Sequence, residues 1–147
     1  MFFSPTHNWR QVRVRERRTR QDWAQEIQKM VDDDFPEAKK IVLVMDNLNT
    51  HSIASLYTTF PAEEAHRLAS RLEIHHTPKH GSWLNMAELE LSVLHRQAMK
   101  DRIESLQLLC QRASAWTTER NASRKTIDWQ FTTEDARIKL KRLYPLL

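Results

Sequence analysis

Two carboxylates in this 147-residue chain stand where chemistry on a bound cation would need them. Asp46 follows the apolar run Ile41–Met45, at the point where a buried strand would give out. In open α/β sheets ligands gather beyond the carboxyl ends of strands. A carboxylate there is costly unless it is hydrogen-bonded or bound to a cation. Capping of the following turn is the plainer use of Asp46, and position alone does not separate the two. Glu88 lies near the start of a helix predicted over residues 83–99, at the border of an apolar face made by Leu84, Ala87, Leu91 and Leu94. Glu90 is read as turned away from that face, into solvent. A generic surface helix would carry such glutamates too. What singles out Glu88 is the preceding loop, Pro78-Lys79-His80-Gly81-Ser82, which holds the one glycine of the chain.

An acid from a strand end and an acid from a neighbouring helix suit a hard divalent ion. Mg²⁺ (or Mn²⁺) takes one or two carboxylates and completes its shell with water and phosphate oxygens. A pair of such ions can activate water or a hydroxyl in phosphodiester chemistry and stabilise the leaving oxygen. Two ions normally need a third carboxylate.

Basic residues offer a second kind of site. Arg10, Arg13, Arg15, Arg17, Arg18 and Arg20 crowd into a stretch with one acid, Glu16. Arginines exposed along a strand can track a phosphate backbone, so Arg13, Arg15 and Arg17 are candidate DNA contacts. A solvated edge that discourages aggregation is the alternative. Lys79, beside the carboxylates, is placed to meet a bound phosphate. His51, His75, His76 and His80 invite a zinc reading, but adjacent His75 and His76 on a strand point to opposite faces, and zinc spacing is absent.

The elements that must position these groups follow from pattern. Two extended segments, the second over residues 9–17 with Val12 and Val14 alternating with arginines, are joined by a turn at Ser4-Pro5-Thr6. Thr19 caps a helix over 20–34 with Trp23, Ile27, Met30 and Val31 as its apolar stripe and its acids on a solvated face. Ile41–Met45 reads as a strand covered on both faces, as in parallel sheets. Helices are expected over 52–57 and, after Pro61, to residue 71; Leu72–His76 is a short strand. Beyond the 83–99 helix come helices over 104–121, burying Leu106, Leu109, Cys110, Ala113 and Trp116, and over 134–143. The order describes one α/β domain: residues to about 100 form the sheet and the metal-site part, and about 101–147 form a helical tail.

Composition agrees. Apolar residues are 40% and charged residues 29%, a globular mixture. One glycine, where about ten would be usual, excludes Gly-rich phosphate loops and dinucleotide fingerprints. No apolar run approaches the roughly 20 residues of a membrane span. A lone cysteine, no basic and apolar leader, and a net charge of +4 point to a cytoplasmic protein with a mildly basic surface.

The stretches Val44-Met45-Asp46-Asn47-Leu48-Asn49-Thr50-His51 and His76-Thr77-Pro78-Lys79-His80-Gly81-Ser82-Trp83-Leu84-Asn85-Met86-Ala87-Glu88 closely resemble the catalytic half of mariner-like bacterial insertion-sequence transposases, of the DDE superfamily. The resemblance runs over nearly the whole chain. It implies a ribonuclease H-like fold, Mg²⁺-dependent cleavage and joining of DNA at transposon ends, and DNA as partner. Asp46 and Glu88 then match the second and third catalytic acids, with Asn47, His51, His80 and Asn85 as supporting polar residues.

The same resemblance implies that the family's first catalytic Asp and its DNA-binding region lie upstream of this chain. The ribonuclease H-like sheet would then be incomplete, without its central first strand, and Ile41–Met45 would have an unpaired edge. Such an edge is an association hazard: the sheet is expected to re-pair across the gap, to take the strand from another chain by self-association or pairing with a full-length transposase, or to leave the chain poorly stable alone. Catalysis by this chain alone is expected to be weak or absent.

Overall fold

In the computed structural model the described residues are 1–46, 48, 50–77, 85–123, 132–139 and 141. Thr19 starts the first helix as expected. Its hydroxyl accepts from Asp22 N (3.1 Å), and Asp22 Oδ2 accepts from Thr19 N (2.8 Å), so two orphan donors of the first turn are met reciprocally. Helix α1 runs over Arg20–Lys29 and continues into one wide, π-helical turn, Met30–Asp34, closed by Phe35 N donating to Met30 O at 2.9 Å.

Before it, β1 (Phe2–Ser4) and β2 (Trp9–Gln11) form an antiparallel hairpin with Phe3 opposite Arg10. Asn8 turns the chain with φ of 47°, a left-handed value that Asn tolerates better than most residues. The strand expected over 9–17 therefore stops at Gln11. Arg13 and Arg15 leave the sheet because α1 draws them off with its acids.

Strand β3 (Ile41–Met45) pairs in parallel with β4 (Leu72–His76), Ile41 opposite Leu72 and Met45 opposite His76. Helices α2 (Ile53–Thr59) and α3 (Ala62–Ser70) make the crossover. Trp23, Ile27, Met30 and Val31 of α1 and its wide turn meet Met45, Leu56, Leu68 and Leu72 in one dry core, with Phe2, Ile41 and Leu43 packed on it. Only one face of β3 is covered. Val42 and Val44 are 61% and 54% exposed, which corrects the expectation of a strand buried on both sides: the helices of the crossover and α1 all serve the face of Ile41, Leu43 and Met45.

Helices α4 (Met86–Ala98) and α5 (Leu106–Ala122) lie against the hairpin, and α6 (Thr133–Lys139) follows, started by a Thr132–Asp135 cap. Ala113 and Trp116 are buried as expected, the indole donating to Gln97 Oε1 at 2.8 Å. Leu106 and Cys110 are exposed, so the buried stripe of α5 is narrower than its sequence suggests. The architecture is mixed α/β, with two small sheets among the described residues and helices packed on them.

Candidate active site

Parallel pairing decides where the site begins. Thr77 N donates to Met45 O at 2.9 Å, carrying the ladder one step past β4. The carboxyl ends of both strands thus lie side by side. Asp46 leaves one of them, and the segment leading to α4 leaves the other.

Asp46 is half-exposed. His51 Nδ1 lies 2.9 Å from Asp46 Oδ1. An ionised carboxylate has no proton to give, so the imidazole donates and its Nδ1–H tautomer is set. His51 N donates to Leu48 O (2.8 Å), which folds the segment back so that the imidazole can reach the carboxylate. A face of the same ring stacks on Trp23, centroids 6.0 Å apart and planes inclined by 26°.

Asn85 is the N-cap of α4, its Oδ1 accepting from Ala87 N at 3.1 Å. That cap fixes Glu88 in the first turn, where the helix dipole favours a negative charge. Glu88 is exposed and has no partner among the described residues. Asn47, Lys79 and His80 lie outside the described residues, as do Gly81, Trp83 and Leu84.

Glu90 overturns the expectation made for it. It is 2% exposed, 3.2 Å from Arg10 Nε and accepting from Arg120 Nη2 at 3.2 Å. The buried face of α4 runs through Glu90 and Leu94, while Leu91 is 43% exposed. The spacing held the signal: four residues separate Glu90 from Leu94, only about 40° of helix. Arg10 likewise leaves the exposed basic run. Burial lowers its pKa from the ordinary guanidinium value, and Glu90 opposes the shift.

The remaining arginines divide. Arg13 Nη2 forks onto Asp34 (2.7 and 2.8 Å) and its Nη1 donates to Glu26 (3.2 Å); Arg15 Nε donates to Glu26 at 2.7 Å. These acids were expected on a solvated face; instead they hold the chain that precedes α1. Asp32 is also engaged, by Arg67 at 2.9 Å. Arg17 is exposed and without a partner among the described residues.

A family model of DDE superfamily endonucleases matches residues 1–110, both strand ends and α4 included. The chain belongs to this family. No curated protein and no solved structure matches it. Endonucleases of this superfamily act on DNA and generally use divalent metals. Among the described residues of this DDE chain, no three His, Cys, Asp or Glu side chains are grouped to hold an ion. The donor chemistry nonetheless fits a hard cation. Asp46 has one oxygen bonded to His51 and a carboxylate partly open to water, and Glu88 is exposed. No described helix is long and apolar enough to cross a membrane.

Proposed function

We propose that this chain is a catalytic part of a mariner-like insertion-sequence transposase, with a ribonuclease H-like design. Asp46 and Glu88 are its second and third metal-binding acids. The observation that carries the reading is Asp46 itself, pinned by His51 at the carboxyl end of β3 beside the exit of β4, within the segment matched to DDE endonucleases. Mg²⁺ or Mn²⁺ held there would supply Lewis acidity to phosphodiester cleavage and strand joining. The protein's share is to place two carboxylates and hold the DNA. Lys79 and Arg17 are the phosphate contacts in this reading, with Asn47, His80 and Asn85 ordering the loops around them. Arg13 and Arg15 act from behind, holding the segment that carries Arg17. Residues to about 100 form the working part and the remainder a helical tail, and the site of action is cytoplasmic DNA.

With two acids rather than three, little or no strand cleavage is expected from these 147 residues alone. Mn²⁺ titration followed by EPR tests the site. Asp46→Asn and Glu88→Gln are each expected to weaken binding about tenfold or more, and unchanged affinity in both removes the reading. Mg²⁺-dependent nicking of supercoiled DNA by the pure chain, lost in Asp46→Ala, would refute the inactivity.

A second, non-catalytic reading rests on β3. Its exposed face of Val42 and Val44, and its pairing with β4 alone among the described residues, suit association with another copy or with a full-length transposase.

A further inference from the structure

We propose that Trp23 is a positioning residue for the metal site, acting through His51 on Asp46. The inference rests on the reading of Asp46 as a metal-binding acid and adds a residue from a different part of the fold. Trp23 occupies the first full turn of α1, its backbone N–H donating to Thr19 O at 3.2 Å. The Thr19–Asp22 capping box fixes that turn, and the core around Ile27 and Met30 holds the indole body in place. The indole is therefore a rigid wall rather than a mobile surface ring.

His51 is held on two sides at once. The stack on Trp23, at 6.0 Å and 26°, falls within the range of offset aromatic pairs. The Nδ1–H bond to Asp46 Oδ1 at 2.9 Å lies in the plane of the same ring. Together they restrict rotation of the imidazole about its own axis and its swing away from β3. One carboxylate oxygen is thereby fixed, which sets the direction in which the other faces. Groups that orient a ligand from behind typically change metal affinity by about 10- to 100-fold when removed. The chain of contacts runs from a helix cap, through an indole, to the acid at the end of a strand.

A merely structural Trp23 would weaken the site by loosening the core, whatever stands at position 51. A positioning Trp23 acts only while His51 is present. Mn²⁺ affinity of the full 147-residue chain, read by EPR, separates the two. His51→Ala is expected to weaken Mn²⁺ binding about tenfold, Trp23→Leu several-fold, and Trp23→Leu on the His51→Ala background not at all. Trp23→Phe, which retains a ring against His51, should restore most of the affinity. Equal losses from Trp23→Leu with and without His51 overturn the inference while leaving the metal reading intact. Mn²⁺ binding indifferent to Asp46→Asn overturns both.

Because Trp23→Leu removes core contacts, a measurement on the unmutated chain stands beside it. In ¹⁵N-labelled protein the His51 ring, assigned by its loss in His51→Gln, should show the Nδ1–H tautomer and carbon-bound protons shifted upfield by the indole. Averaged tautomers with unshifted ring protons would overturn the ordering on which the inference depends.

Discussion

Arg10 Nε and Glu90 Oε2 lie 3.2 Å apart with the two side chains 1% and 3% exposed, an ion pair taken almost wholly out of water. It ties β2 to α4. Asn121 of α5 completes the junction: its Oδ1 accepts from Arg10 N at 3.0 Å and its Nδ2 donates to Arg10 O at 3.0 Å, so one amide serves the strand edge as a neighbouring strand would. Breaking a buried pair leaves an uncompensated charge and costs about 3–5 kcal/mol. Glu90→Ala should lower stability by that order in urea denaturation, whereas Arg10→Met with Glu90→Leu should cost far less than either single change.

Acid should loosen α1 and α3 at their starts. Hydrogen bonds from the Thr19 hydroxyl and then its backbone N–H hold the Asp22 carboxyl below the usual carboxylate range. Arg67 does the same for Glu64. Both acids bind protons less readily in the folded chain than in the unfolded one. Their stabilisation is complete above the unfolded values near about pH 4 and is lost as pH falls through the folded values. Thr19→Val should cost about 1 kcal/mol at neutral pH. Urea midpoints at pH 7 and pH 3 should show that cost shrinking in acid.

One guanidinium braces the link between the wide turn and β3. Arg71 Nη2 is shared by the carbonyls of Phe35 (3.0 Å), Pro36 (2.9 Å) and Ala38. A hydrogen bond from a charged group is worth about 1.5–3 kcal/mol. Arg71→Met should therefore destabilise by about 2 kcal/mol, and Arg71→Lys by less. Faster amide exchange at Ile41, which donates to Arg71 O at 2.8 Å, would mark the loss as local.

Val42 and Val44 should govern association without governing the fold. Exposed positions tolerate substitution within about 0.5 kcal/mol, so the double change Val42→Thr, Val44→Thr should leave the melting temperature nearly unchanged. Sedimentation at increasing concentration should show weaker self-association than in the parent chain. Equal association in both would remove this face from the contact.

Much of the scaffold was legible because its signals are local. Thr19 followed by Asp22 announced α1, the Ile41–Met45 and Leu72–His76 runs announced their strands, and Pro61 the start of α3. What escaped depended on distant partners. Nothing in an apolar run says how many helices will cover it, so the exposure of Val42 and Val44 was hidden. Arginines in alternation read as a strand, yet Arg13 and Arg15 answer to acids of the helix that follows. At the site, Asp46 and His51 stand five residues apart and share one motif; Trp23 belongs to another helix, and only folding brings its ring to the imidazole.

The wide turn at Met30–Asp34 faces two ways. Asp32 reaches Arg67 on α3, while Asp34 turns to Arg13 on the other flank. Each residue of an α-helix advances about 100° around the axis. Deleting one residue from the Asp32-Asp33-Asp34 run would let α1 finish in regular geometry, but the carboxylates would swing out of phase and only one arginine could keep its fork. The surplus residue lets a single helix end grip two parts of the molecule that lie on opposite sides of it.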